Sequence, residues 1–94
     1  MSQFITASLK FVPLREIAPI PIVDKALAII KSWDMNAEVG AQCTTIEGDF
    51  FKIMDNIKDL SSKMEEYCPR FEFFLNFSYS VDGVTIESRV AKHR

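Results

Sequence analysis

The sequence has few of the residues from which enzyme sites are most often built. It has one histidine, His93, which is next to last of 94 residues, and two cysteines, Cys43 and Cys68. A Ser/His/Asp or Cys/His site needs a histidine held in a rigid element, and the cysteines lack the Cys-x-x-Cys spacing of zinc and redox sites. The three glycines are isolated, so there is no phosphate-binding glycine loop. We therefore expect no enzymatic activity, no metal, and cysteines that pack without forming a disulfide.

An excess of charge and long apolar runs are also missing. Eleven basic residues against 13 acidic ones leave a formal net charge of −2, with one histidine counted as neutral. This balance provides no basic field for nucleic acid and no strong attraction to a membrane surface. No apolar run approaches the ~20 residues that cross a bilayer, and no signal-peptide pattern is visible. We expect a cytoplasmic protein with neither nucleic acid nor membrane as partner.

What the chain does contain is enough apolar material for one core. Hydrophobic residues make up 48% of the sequence and eight residues are phenylalanine. A chain of this length suits a single domain with one core, so we predict one domain over residues 1–94. The basic stretch at residues 89–94 is predicted to be a flexible tail.

The apolar residues follow a strand period, then a helix period, and the switch occurs twice. Residues 4–12 alternate and predict a strand that turns Ile5, Leu9 and Phe11 to the core and ends at Pro13. Residues 22–33 and 50–67 have helical spacing, the second with a stripe of Phe50, Met54, Ile57, Leu60, Met64 and Tyr67. Residues 70–81 form a long aromatic strand.

Two other stretches complete the predicted order of elements. Residues 37–47 exceed the usual strand length and contain Gly40, which indicates a bend, a bulge or a tight hairpin near residues 40–42. After the turn signal at residues 81–84, residues 84–88 are a candidate extra C-terminal edge strand. The resulting class is α+β, a ferredoxin-like βαββαβ sandwich whose antiparallel sheet has two helices on one face. The other face, with Thr6, Ser8, Lys10, Phe74, Asn76 and Ser78, is left open.

The stretch at residues 42–49 has the form of a strand that ends in a capped helix start. Gly48 can adopt backbone angles that other residues avoid, and Asp49 can accept hydrogen bonds from the first amides of a helix beginning at Phe50. Thr44, Thr45 and Glu47 form a polar group at this strand end. The pattern is compatible with a small-ligand site and equally with a capped corner that binds nothing.

The wider arrangement resembles the small YkoF-like thiamine-binding protein family. The resemblance runs from a first strand ending Phe11-Val12-Pro13-Leu14, through Thr44–Asp49, to the aromatic last strand. It implies a ferredoxin-like domain that assembles with copies of itself and has no general catalytic reaction. The chain departs from the family pattern at Arg15, where glycine is common, and at Asn76, Ser78 and Ser80, where charged residues are usual.

The resemblance implies a ligand, thiamine or its hydroxymethylpyrimidine part, bound by a homodimer or homotetramer without any other cofactor. Recognition of the pyrimidine edge needs hydroxyl or amide groups, and the thiazolium cation needs a carboxylate or an aromatic face. We expect Glu47 and Thr45 to contact the ligand directly. The full set of expected binding residues is Ser8, Gln42, Thr44, Thr45, Glu47 and Asn76.

Two other functional classes remain open from the sequence. A structural or regulatory ferredoxin-like domain would self-assemble without responding to a small ligand. An enzyme would show a pH-dependent activity abolished by Glu47→Gln. If Glu47 does not bind the ligand, the open sheet face around Asn76 is the alternative place for the site.

Overall fold

The computed structural model describes residues 3–14 and 18–91, which form a four-stranded sheet with helices. The elements are β1 (Phe4–Pro13), α1 (Pro19–Lys31), β2 (Asn36–Val39), β3 (Thr44–Asp49), α2 (Phe50–Met64), β4 (Phe71–Ser78) and α3 (Ile86–Val90). The sheet is antiparallel with strand order β2-β3-β1-β4. The α1 and α2 helices cover one face of it. The predicted α+β, ferredoxin-like class is confirmed.

The break predicted near Gly40 is a hairpin turn. β2 pairs antiparallel with β3, and the Gly40 amide donates to the Cys43 carbonyl oxygen at 2.9 Å. A Cβ at Gly40 would lie 2.9 Å from that same oxygen, closer than side-chain carbons normally approach. Glycine at this position therefore lets the two strands connect tightly.

Side-chain alternation in the sheet builds the core between the sheet and the two long helices. Ile5 and Leu9 are buried as predicted, and Phe11 packs against them half-buried. The buried core consists of Ile5, Ala7, Leu9, Ala26, Ile30, Ile46, Ile53, Leu60 and Met64. Every long element except β4 contributes a fully buried residue, and β4 contributes half-buried aromatic rings and Leu75.

The predicted stripe of α2 needs two corrections. Ile53 was left out of it, yet its side chain is 0% exposed. Tyr67 was included, but α2 ends at Met64, so Tyr67 lies beyond the helix, 44% exposed. The Lys25 ammonium sits 4.5 Å from the centre of its ring, which places the tyrosine on the rim of the core.

The structure also defines where α1 begins. α1 begins at Pro19, earlier than residue 22, because proline is compatible with the first turn of a helix.

Cys68 is buried, Cys43 is half-buried, and both are free thiols, as predicted. None of the helices within the described ranges combines the length and apolarity needed to span a bilayer.

The predicted extra strand at residues 84–88 is wrong, because this segment starts a helix. Gly83 has a positive φ of 84° and makes the predicted turn. The Thr85 hydroxyl then accepts from the Ser88 amide at 2.9 Å, while the Ser88 hydroxyl accepts from the Thr85 amide at 3.0 Å. This reciprocal capping satisfies amides that a helix start leaves free, so α3 forms. It includes Arg89 of the predicted tail, whose residues 92–94 lie outside the described part.

The α3 helix lies across part of the sheet face opposite α1 and α2. The Val84 amide donates to the Phe4 carbonyl oxygen at 2.8 Å, and the buried Thr6 hydroxyl donates to the Val84 carbonyl oxygen at 2.9 Å. Val84 and Ile86 are buried by this contact. The face that was expected to be open is therefore half covered.

Replacing Ile53 by alanine tests the corrected core. We expect Ile53→Ala to lower the free energy of unfolding by about 2–5 kcal/mol, because it leaves a cavity in a fully packed interior. Ile20→Ala is the matched control, since Ile20 lies on α1 with 71% of its side chain exposed, and it should change stability by about 0.5 kcal/mol or less. Urea unfolding followed by circular dichroism measures both, and equal losses would contradict this description of the core.

Candidate functional site

Residues that face one another in the strand register form two polar rows across the sheet face opposite α1 and α2. Directly paired residues on neighbouring strands share a face. The first row, here called the Ser8 row, runs through Glu38, Thr45, Ser8 and Asn76. The second, the Thr6 row, runs through Asn36, Glu47, Thr6 and Ser78. Each row takes one residue from every strand.

The Thr6 row lies beneath residues 84–90, called here the C-terminal segment. Two of its side chains hydrogen-bond to that segment. One Glu47 carboxylate oxygen accepts from the Ile86 amide at 2.6 Å, and the other accepts from the Asn36 side-chain amide at 3.1 Å. Thr6 holds the same segment through Val84. Glu47, which we expect to contact a ligand, thus also hydrogen-bonds to the first residue of α3.

The Ser8 row lies beside α3 and is accessible. A cavity of about 260 Å³ opens between α3 and the sheet. Ser8, Thr45 and Asn76 from three adjacent strands line it, and Arg89 of α3 faces them. Its other lining residues are Thr6, Ala7, Phe77, Ser78, Ile86 and Val90. Within residues 3–14 and 18–91, the cavity therefore has a polar floor and one cationic wall residue.

A second cavity of about 290 Å³ continues from the first on the same face. The two share Ser8 and Asn76. The second extends to Lys10, to the half-exposed ring of Phe74, and to Gln42 in the turn between β2 and β3. We call the two cavities together the open-face groove, lined at its centre by Ser8 and Asn76.

The structure brings together some of the predicted binding residues and separates others. Ser8, Gln42, Thr45 and Asn76 line the open-face groove. Thr44 is 3% exposed and pairs with Leu9 on the opposite face of the sheet. Successive strand residues point to opposite faces, so two adjacent threonines cannot both line one site.

Thr44 instead borders a different cavity, between α1 and the turn that joins β2 to β3. This cavity of about 260 Å³ has a mostly aliphatic lining that includes Val23, Leu27 and Ile30 of α1. It also reaches Gln42 and Cys43. It lies on the helix side of the sheet and does not share the Ser8 row.

Sequence reasoning missed Arg89 as a groove residue and did not include Phe74 in the site. The prediction of a flexible basic tail over residues 89–94 includes Arg89, which the structure places in α3. The spacing of Thr85 and Ser88, with Glu87 in the first turn, is a helix-start signal, and it would have placed Arg89 on a helix. Phe74 was placed on the open face by alternation alone.

The described lining of the groove offers hydrogen-bonding side chains and an exposed aromatic ring. Hydroxyl groups of Ser8 and Thr45 and the amide of Asn76 both donate and accept hydrogen bonds. Phe74 offers an aromatic face for stacking. Among residues 3–14 and 18–91, no group of three His, Cys, Asp or Glu side chains is placed to hold a metal ion.

Removing the Glu47 carboxylate tests its role beneath α3. We expect Glu47→Ala to lower the free energy of unfolding by about 1.5–3 kcal/mol, the range for a hydrogen bond to a charged group. The Ile86 amide should exchange with solvent faster, because it loses its acceptor. Glu38→Ala is the control on the same sheet face, exposed and outside the groove lining. Unchanged Ile86 exchange in Glu47→Ala would contradict the assignment.

Comparison with known proteins agrees with this fold. A profile of the family described as thiamine-binding protein matches residues 7–94. A UPF0045 protein from Clostridium perfringens is 31% identical in an alignment of 78 residues, and the alignment covers 78% of this chain and 78% of that protein.

Two solved structures are similar over almost their whole length. A candidate thiamine biosynthesis/salvage protein from Thermotoga maritima is 40% identical, with a TM-score of 0.91 over 97% of this chain and 99% of that one. A domain of unknown function, DUF77, from Bacillus cereus is 30% identical, with a TM-score of 0.89 over 100% of this chain and 93% of that one. Because the family profile covers nearly the whole chain, the protein belongs to the thiamine-binding protein family.

Proposed function

We propose that the protein binds thiamine or its hydroxymethylpyrimidine part in the open-face groove, as a homo-oligomer and without catalysing a reaction. Family membership supports a small-ligand-binding role. The observation that carries the placement is the side-by-side position of Thr45, Ser8 and Asn76 on three adjacent strands, next to an exposed Phe74. The cytoplasm remains the predicted location, and neither nucleic acid nor a membrane is a predicted partner.

The groups of the groove correspond to the parts of such a ligand. The aminopyrimidine has donors and acceptors along one edge, which the hydroxyls and the Asn76 amide can pair. The Phe74 ring can stack on a flat heterocycle or face the thiazolium cation. Each cavity is close to the lower limit of ~300 Å³ for small-molecule pockets. One cavity suits a single ring, and the two together suit a two-ring ligand.

Glu47 plays an indirect part in this proposal. Its carboxylate was expected to balance the thiazolium charge, but both oxygens already accept hydrogen bonds. It supports the groove by holding α3, which forms one wall. Thr44 supports the strand from the helix side and has no part in binding.

Self-assembly has a separate observation in its favour. β4 is an edge strand of eight residues, and exposed aromatic residues gather at its end. The rings of Phe77 and Tyr79 lie 5.3 and 5.9 Å from that of Phe50, and Phe51 stands 5.4 Å from Phe50. An exposed apolar edge strand is a template for pairing with another chain, so we propose that a second copy pairs at β4. A self-assembling domain without a ligand is the second candidate function.

Removing polar groups from the groove floor tests the binding proposal. We expect the double variant Ser8→Ala/Asn76→Ala to bind thiamine about fivefold to 150-fold more weakly, because each of the two lost hydrogen bonds contributes about 0.5–1.5 kcal/mol. Ser62→Ala/Asn56→Ala makes the same changes on α2, outside the groove lining, and should bind like the parent. Isothermal titration with thiamine and with the pyrimidine alone measures the affinities.

The same titration separates the two candidate functions. If the folded parent protein gives no heat with thiamine or with the pyrimidine, the binding proposal is overturned and the ligand-free self-assembling domain is favoured. If the α2 control loses as much affinity as the groove variant, the site lies elsewhere.

A charge placed on the β4 edge tests the proposed assembly. Light scattering at micromolar concentration should give the parent the mass of a dimer or a tetramer. Phe77→Lys should reduce that mass, since a buried unpaired ammonium is costly at an interface. Val39→Lys places the same charge on an exposed residue of the other edge strand, β2, and should retain the β4-paired dimer. A monomeric parent would refute self-association.

A further inference from the structure

We propose that the open-face groove selects a phosphorylated ligand, a phosphate monoester of thiamine or of its pyrimidine alcohol, over the unphosphorylated form. This inference rests on the proposed function and adds the charge class of the ligand. Arg89 binds the phosphate at one end of the groove, and the ring stacks on Phe74 at the other end.

The charge of the groove is the first argument. Arg89 is the charged residue that lines the first cavity, and Lys10 is the charged residue that lines the second. Among the residues that the structure describes, no carboxylate lines either cavity. Among the described residues the one ion pair joins Lys63 and Asp59 of α2, so neither groove cation is neutralised by a salt bridge there. The groove is positive although the whole chain carries a net charge of −2.

The nearby carboxylates lie outside the lining of both cavities. Neither Glu47, whose oxygens accept hydrogen bonds from the Ile86 and Asn36 amides, nor Glu87 of α3 lines either cavity. Glu38 pairs with Thr45 but stands outside the lining, and Glu72 pairs with Val12, beyond Phe74 along β4. A thiazolium alone would meet two cations in the groove, whereas a phosphate ester brings the opposite charge.

The positions of Arg89 and Lys10 indicate which end of the groove receives the phosphate and which receives the ring. The cavities share Ser8 and Asn76 at the centre, with Arg89 only in the first and Lys10 only in the second. The guanidinium fork of arginine matches phosphate oxygens in pairs, and the hydroxyls of Thr45 and Ser78 line the same cavity as additional donors. This end therefore fits the phosphate.

The other end fits the heterocycle. Phe74 pairs with Lys10 across the strands, and its ring is 49% exposed. A ligand that spans the shared centre would place its ring on Phe74 and its polar edge on Ser8 and Asn76. Lys10, a point charge on a flexible stem, then adds a second, less directional attraction for the anion.

Titration calorimetry of thiamine, thiamine monophosphate and inorganic phosphate tests the inference on the full chain. We expect the parent to bind the monophosphate about tenfold more tightly than thiamine, and inorganic phosphate much more weakly than either. Arg89→Gln should bring the two thiamine forms to nearly equal affinity. Arg70→Gln removes the same charge from an exposed residue outside the groove and should keep the tenfold preference. Circular dichroism verifies that both variants are folded.

Each outcome of this experiment has a distinct meaning. If the parent binds thiamine as tightly as the monophosphate or more tightly, the phosphate inference fails while the proposed function stands. If inorganic phosphate binds as tightly as the ester, the groove is a bare anion site and the proposed ester fails. If Arg70→Gln and Arg89→Gln have the same effect, the placement of the phosphate at Arg89 fails. If neither thiamine form binds, and the hydroxymethylpyrimidine and its phosphate titrated in the same series give no heat either, both the inference and the proposed function are overturned.

Discussion

The C-terminal segment depends on the hydrogen bond between the Glu47 carboxylate and the Ile86 amide, supported by the bond from Thr6 to Val84. These contacts connect residues that are far apart in the chain and fasten α3 onto the sheet face opposite α1 and α2. Without them that face would be flat, and a flat polar sheet does not enclose a ligand. With them, α3 becomes a wall, and the Ser8 row beside it becomes the floor of a groove. Glu47, one of the polar residues expected to bind a ligand, thus holds the helix that forms a wall of the groove.

The two faces of the sheet carry different kinds of side chain, because successive residues of a strand point to opposite faces. On one face, residues such as Ile5 and Ile46 are packed against α1 and α2 and form the core. On the other, the paired positions are hydroxyls, amides and carboxylates. The second set is not needed to fill the interior, so the chain can carry binding groups there without weakening the fold. In the groove, the Phe74 side chain is half-exposed and available for a ring.

The parts of the fold that could be predicted follow from the periodicity of the sequence. The parts that could not be predicted depend on contacts between residues distant in sequence. The switch from strand period to helix period, repeated once, predicted the ferredoxin-like arrangement, and the glycine at position 40 predicted a bend, bulge or hairpin, of which the structure has the hairpin. Ser8 and Asn76 were correctly expected on the same open face. The role of Glu47 could not be read from its neighbours, because its partner, Ile86, lies 39 residues away. Missing the Thr85 cap concealed α3, and with it the groove wall and Arg89.

The central claim is that a thiamine-type ligand binds in the open-face groove, and a ligand titration followed by nuclear magnetic resonance tests its location directly. In amide spectra of the labelled protein, adding thiamine or its monophosphate should shift the signals of Ser8, Thr45, Asn76 and Arg89, which surround the groove. The signals of amides around the cavity beneath α1, such as that of Leu27, should not shift. Shifts concentrated at Leu27 and its neighbours, with the four groove amides unmoved, would contradict the account.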